Sequence, residues 1–171
     1  LDADGKVGLH RVEVALVPGS GKVRAGGADP AMKASAQRAV TWLQSNAATF
    51  GLTEALAAHD IQVEYVDLLG NRVAYEPAVG TVVAIVSALR KVALLPALVV
   101  VGDMTLQGNL RAPRSVVECM ETARSNGGRR VLIPSEARRS VMEAPADLVD
   151  AVDPLFFGDL TSAVQKALGL K

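Results

Sequence analysis

Apolar and polar side chains alternate from residue 9 to residue 16, with Leu9, Val12, Val14 and Leu16 set against His10, Arg11, Glu13 and Ala15. That period of two predicts a strand with one buried face. Pro18-Gly19-Ser20-Gly21 then turns the chain, and a short strand over 22–25 is expected to complete a hairpin. After Asp29-Pro30 the period lengthens: Met32, Ala36, Ala39, Val40, Leu43 and Ala47 keep helical spacing up to a stop near Gly51. Asp29 supplies a capping acceptor and Pro30 fits the first turn. Trp42 on this helix reads as a core residue. A short helix over 52–58 leads into Asp60-Ile61-Gln62-Val63-Glu64-Tyr65-Val66, where period two returns, and a loop over 68–74 carries the turn signal Gly70-Asn71.

From residue 77 to residue 91 the chain is almost wholly small and aliphatic, which predicts a helix buried on most of its sides. A short buried strand over 97–102 follows, then a strand and turn around Gly108 over 103–111, an amphipathic helix over 113–125 stopped by Asn126-Gly127-Gly128, and a strand over 129–134. Residues 148–157 are expected to form a strand and 160–168 a closing helix, with Phe156 and Phe157 sealing a core edge beside Gly158. Strands and helices alternate after the opening turn, so the expected class is α/β, a mixed sheet with flanking helices and no internal repeat.

The 171 residues are half apolar, and 18 basic side chains balance 18 acidic ones. One ordinary domain is expected, large enough to bury roughly 70% of the surface its unfolded chain exposes. Cys119 is the lone cysteine, and His10 and His59 are far apart in sequence, so neither a disulfide framework nor a multi-thiolate zinc site can be built. A reducing compartment fits. The neutral balance argues against nucleic-acid binding by bulk charge, although a local patch could form on folding. The longest apolar run, 92–102, contains Pro96 and falls short of the roughly 20 residues a spanning helix needs. No secretory leader is read at the start. The opening at Leu1, close to the first strand, suggests a domain cut from a longer protein.

Gly21-Lys22 invites a phosphate-loop reading, but Leu16 stands where that pattern needs glycine and Val23 where it needs a hydroxyl. A different match is stronger. The Val17-Pro18-Gly19-Ser20-Gly21-Lys22 turn, the Asp60-Ile61-Gln62-Val63 strand, Pro77-Ala78-Val79-Gly80 opening the small-residue helix, Gly102-Asp103-Met104-Thr105-Leu106-Gln107-Gly108, and Val131-Leu132-Ile133-Pro134 follow one another at compatible spacing. Together they cover nearly the whole chain, and it resembles the proteolytic domain of Lon proteases. The ending, Leu155-Phe156-Phe157-Gly158-Asp159 with Ala163 to Gly169, resembles the Lon-like C-terminal region of BrxL-type proteins of phage-defence (BREX) systems more than housekeeping Lon.

The resemblance implies a Lon-type fold spanning 1–171 as a single C-terminal domain of a longer AAA-type ATPase chain. ATP and Mg²⁺ would belong to that other part, with no cofactor in this one. It further implies a homo-oligomer, ring-forming in the full-length chain, and a cytoplasmic location. DNA contact is left open for the full-length protein, and no membrane contact is expected. In the family, peptide hydrolysis uses a serine nucleophile and a lysine whose desolvated amine accepts its proton. The serine position falls on Ala78 and the lysine position on Val117, with Asp103 and Thr105 matching the pattern beside them. Neither alanine nor valine can do that chemistry.

Nearby residues are poor substitutes. Ser87 lies about 13 Å along the helix from Ala78 and reads as a buried helical serine. Lys91 reads as solvated, Ser115 as a helix-start hydroxyl, and Thr105 as structural in the absence of the lysine. Arg111 and Arg114 stay charged and cannot act as bases. Three readings follow: a degenerate protease domain serving in assembly; an active peptidase seen in an inactivated form; and a DNA- or peptide-binding module. The last draws on Arg111, Arg114, Arg124, Arg129, Arg130, Arg138 and Arg139, of which Arg129, Arg130, Arg138 and Arg139 are the residues to test for a patch.

Overall fold

The computed structural model describes residues 6–26, 29–73 and 77–170. The alternating opening forms β1 (His10–Pro18), and β2 (Val23–Ala25) follows the turn. Helix α1 (Pro30–Ser45) starts where Asp29 Oδ1 accepts the N–H groups of Ala31 and Met32 at 2.8 and 3.2 Å, and its buried stripe is Met32, Ser35, Ala36, Ala39, Val40 and Leu43. A 3₁₀ turn, Ala47–Phe50, ends at Gly51. Helix α2 (Thr53–Ala58) runs directly into β3 (His59–Asp67).

These strands make one sheet in the order β1-β3-β2, with β1 antiparallel and β2 parallel to β3. The expected hairpin is therefore not formed: β1 and β2 lie on opposite sides of β3. Asp60 explains the detour. Its Oδ1 accepts the N–H groups of Ser20 and Lys22 at 2.9 and 2.8 Å, and Gly19 N–H donates to the Ala58 carbonyl at 2.9 Å. The turn is pinned across the start of β3 instead of closing on itself. A Cβ on Gly19 would sit 2.2 Å from the Asp60 Cγ, so only glycine lets the backbone come this close.

Helix α3 (Ala78–Arg90) is buried through Ala78, Val79, Thr81, Val82, Val83, Ile85 and Val86. It is followed by β4 (Leu98–Val100), the two-residue strands β5 (Asp103–Met104) and β6 (Leu110–Arg111), α4 (Val116–Ser125), β7 (Arg130–Pro134), a 3₁₀ turn at Ser135–Ala137, and α5 (Arg138–Met142). Residues 148–157 are not one strand. They divide between α6 (Ala146–Val152) and β8 (Pro154–Phe157), and α7 (Leu160–Ala167) closes the chain. Leu148 and Val152 are both buried, and their spacing of four places them on one helical face; Asp153, at φ 35°, then turns the chain into β8.

The class is α/β, as the alternation predicts, but the strands divide into a mixed sheet, a parallel sheet in the order β4-β7-β8, and a β5–β6 ribbon. The parallel sheet is covered on both faces, and its residues alternate between two cores. Leu132 and Phe157 belong to a large cluster with α1, α3 and α7; Val131 and Ile133 belong to a smaller one under α4, α5 and α6, and Phe156 packs against it. Trp42 packs at the edge of the large cluster, 5.9 Å from Phe50 between ring centroids.

Gly108 is the point where the ribbon meets α1. Its φ is +86°, and an added Cβ would lie 2.4 Å from Trp42 Nε1. Gly108→Ala is expected to destabilise the chain by about 2 kcal/mol, through left-handed strain and overpacking together. Trp42 is the sole tryptophan. Its fluorescence in a urea titration therefore reports both the loss of stability and a changed environment at this contact.

Candidate functional site

The mouth of α3 is built from polar groups that satisfy one another. Pro77 precedes the helix without a capping side chain, and its carbonyl accepts the Thr81 N–H at 3.0 Å and the Thr81 hydroxyl at 2.8 Å. Tyr65, on β3, has its hydroxyl 2.6 Å from Thr81 Oγ1. Because Thr81 gives its proton to Pro77, the Tyr65 hydroxyl is the donor in this chain of bonds. Burial pushes the Tyr65 phenol up to about 12. Ala78, one residue into the helix, has no exposed surface and belongs to the large core.

The β5–β6 ribbon supplies a second polar group. Asp103 is buried, with Ser35 Oγ donating to its Oδ1 at 3.4 Å and Arg38 Nη2 lying 3.4 Å from its Oδ2, so that one carboxylate ties α1 to β5. Thr105 closes the ribbon's turn. Its N–H donates to the Asn109 carbonyl at 2.9 Å, its carbonyl accepts the Gly108 N–H at 2.9 Å, and its hydroxyl accepts the Asn109 N–H at 3.1 Å. The backbone N–H and carbonyl of Thr105, and its hydroxyl oxygen as an acceptor, are thus all engaged within the ribbon's turn.

Val117 is half-buried on α4 and packs against the smaller core, whereas Ala78 packs in the larger one. Ser115 occupies the position before α4, but its side chain makes no capping bond. Ser87 is half-buried, not fully buried, and its hydroxyl donates to the Val92 carbonyl at 2.6 Å, closing the end of α3; Lys91 is exposed at that end. The Gly19–Lys22 turn cannot cradle a phosphate as it stands. Its inward N–H groups are held by the Asp60 carboxylate, whose pKa lies below the usual carboxylate range because Lys22 and Ser20 donate to it. Among the described residues, no group of three or more His, Cys, Asp or Glu could hold a metal ion, and no helix is long and apolar enough to cross a membrane.

The four arginines singled out for a patch are separated by β7. Arg129 and Arg130 lie at its start, where Arg130 Nε is 4.0 Å from Asp153, while Arg138 and Arg139 lie beyond its end. Arg138 stacks 4.2 Å over the Phe156 ring, and Arg139 pairs with Glu143 at 3.4 Å. Ser35, Arg38, Tyr65 and Thr81 escaped the reading of the sequence. Ser35 had a visible signal, a hydroxyl within the apolar stripe of α1; Arg38 and Tyr65 find their partners only through tertiary contact.

Residues 5–169 match the Lon protease (S16) C-terminal proteolytic domain. The chain belongs to this family. It is similar to the Lon-like protease BrxL of Escherichia coli O9:H4 (strain HS), 25% identical over 168 residues, which are 97% of this chain and 24% of that protein. The Lon protease of Xanthomonas oryzae pv. oryzae is 31% identical over 142 residues, 82% of this chain and 17% of the relative. That of Buchnera aphidicola subsp. Schizaphis graminum is 29% identical over 146 residues, 84% and 19% of the two chains. The chain thus spans about a quarter or less of the length of these relatives.

The burial of the Tyr65 phenol has a pH signature. Unfolded, the phenol ionises at about 10; folded, it stays neutral to about 12. Its raised pKa means that stability is whole below about 10 and is lost as pH rises from there towards about 12. Tyr65→Phe is expected to remove this alkaline loss and to lower stability at neutral pH by about 1 kcal/mol, through the missing bond to Thr81. Urea midpoints measured below and within that window check both effects.

Proposed function

We propose that this chain is a Lon-type proteolytic domain that has lost its chemistry while keeping its packing, and that it serves as an assembly part of a longer ATP-dependent protein of the BrxL or Lon type. The observation that carries this is the complete burial of Ala78 in the core at the mouth of α3, with Val117 half-buried against the other cluster. A serine–lysine mechanism needs an oxygen lone pair to attack the peptide carbonyl and a neutral nitrogen to take the hydroxyl proton. A methyl and an isopropyl group offer neither. The neighbouring hydroxyls of Thr81 and Thr105 are engaged with Pro77, Tyr65 and Asn109, and neither has a general base among its partners.

In this reading Ala78 and Val117 stand at the family's dyad positions, and Asp103 and Thr105 persist because they hold the ribbon. ATP and Mg²⁺ belong to a motor part outside this chain, and the greater length of the relatives leaves room for one. The parent protein is a cytoplasmic homo-oligomer, and any DNA contact it makes lies mainly outside this segment. The dispersal of Arg129, Arg130, Arg138 and Arg139 over both ends of β7 supports that last point.

The chain is expected to leave fluorogenic casein intact, and so is Ala78→Ser, which gains a hydroxyl but no base. Ala78→Ser with Val117→Lys together are expected to gain slow hydrolysis, since a half-buried lysine has the lowered pKa a base requires. Cleavage by the unmutated chain would overturn the loss of chemistry; an inert double variant would count against the pairing of the two positions. Sedimentation of the parent protein with nucleotide is expected to give a closed oligomer, and monomer alone at micromolar concentration would refute the assembly role.

A further inference from the structure

We infer that the Gly19–Lys22 turn is an oxyanion site kept closed by the chain itself: the Asp60 carboxylate is its resident ligand, and a small free carboxylate takes the same place once that group is withdrawn. Two backbone donors converging on one oxygen, and the space that the carboxyl group fills, carry this independently of the loss of catalysis.

Ser20 N–H and Lys22 N–H both donate to Asp60 Oδ1, at 2.9 and 2.8 Å. Gly21 lies between them at φ +88°, and a left-handed step of this kind turns nearby N–H groups inward to one anion. Once the fold is made, two further bonds hold the donors in place. Gly19 N–H donates to the Ala58 carbonyl at 2.9 Å, and the Lys22 carbonyl accepts the Ile61 N–H at 2.8 Å, so the backbone is anchored on both sides of the donors. The concavity therefore outlasts its ligand.

The carboxyl group rests directly on the Gly19 backbone, since an added Cβ there would lie 2.2 Å from Asp60 Cγ. Truncating Asp60 at Cβ opens a gap of carboxylate size, floored by glycine and fronted by two donors. Ser20 and Lys22 are exposed, so the gap faces solvent. The two N–H bonds, with the charges of Lys22 and Arg24 behind them, hold the Asp60 carboxyl below the usual carboxylate range. Contacts that favour the ionised form of a tethered carboxylate favour a free one for the same reason.

While Asp60 is present, an outside anion can enter only by breaking both of its bonds. A tethered carboxylate competes at an effective concentration that a free anion does not reach. The contact is therefore autoinhibitory, and it accounts for a Pro18-Gly19-Ser20-Gly21-Lys22 turn that is closed to phosphate in the unmodified chain.

Size-matched rescue at neutral pH and constant ionic strength tests this, read by the Ser20 and Lys22 amide resonances and by Trp42 fluorescence in urea. Asp60→Ala, which lacks only the carboxyl group, is expected to bind formate saturably at those two amides and to recover on saturation much of the urea midpoint lost with Asp60. The dissociation constant should be no tighter than about 1 mM, the limit for an anion of so few atoms. Asp60→Gly lacks Cβ as well and should prefer acetate to formate. The unmodified chain, and Asp60→Asn, which keeps an acceptor at Oδ1, should respond to neither anion. Should a truncated variant be unfolded alone, its matched anion is expected to refold it. Truncated variants whose Ser20 and Lys22 amides shift no more than those of the unmodified chain overturn the proposal, as does a truncated chain that stays unfolded across the titration. Equal rescue by chloride, or saturable binding at these amides in the unmodified chain, overturns it too.

Discussion

Helix α3 has no charged side chain before Arg90, and a helix that is apolar or small on all sides is stable only when it is enclosed. The remaining elements are arranged to enclose it. Helix α1 and helix α7 pack against it, β1 brings the face of the mixed sheet, and β5 adds the end of the ribbon. The two flanking helices are each started by an aspartate, Asp29 before α1 and Asp159 before α7, so their entry points are set by backbone bonds near the helix they cover. The smaller core can be added on the far face of the parallel sheet because β4, β7 and β8 alternate their side chains between the two sides.

Several carboxylates in this protein act as internal ligands of the backbone. Asp29 holds Ala31 and Met32, Asp60 holds Ser20 and Lys22, Asp67 holds Leu69, Gly70 and Arg72, and Asp159 holds Ser162. Donation from Arg72, Gly70 and Leu69 keeps Asp67, like Asp60, below the ordinary carboxylate range. Formal neutrality therefore conceals two separate uses of charge: acids fix turns, while Arg124, Arg130 and Arg139 meet other acids at exposed sites where an ion pair contributes little. A turn that looks able to bind an anion from outside is already occupied by one from within.

Features carried by local periodicity and capping were readable in the sequence. Asp29-Pro30 marked the start of α1, the unbroken small-residue run marked α3 as buried, and the motif order pointed to the Lon family. Features carried by tertiary pairing were not. Three residues of β2 cannot announce which side of β3 they join, because only the Asp60 carboxylate decides it. The β-branched residues of α6 and the aromatic residues of β8 look like one strand until the spacing of Leu148 and Val152 is weighed. The Ser35, Arg38 and Asp103 group joins positions more than sixty residues apart, so no local pattern could reveal it. The apolar character of positions 78 and 117 was plain from the sequence, but their environments, one wholly enclosed and one half-enclosed in different cores, required coordinates.

Those environments account for which family-like residues persist under the proposed reading. A serine at position 78 would bring a hydroxyl to a site where alanine has no exposed surface, at about 1–3 kcal/mol unless the hydroxyl found a partner. A lysine at position 117 would have to desolvate its amine or bend it to solvent. Such strains are tolerated where hydrolysis requires them and are relieved by ordinary packing where it does not. Thr105 and Asp103 stand in the opposite position. Removing the Thr105 hydroxyl would take an acceptor from the Asn109 N–H, and removing the Asp103 carboxylate would break the bonds from Ser35 and Arg38 that tie α1 to β5. Residues whose family role is purely chemical can drift to alanine and valine at a gain in stability, while residues whose polar groups also hold the fold stay in place.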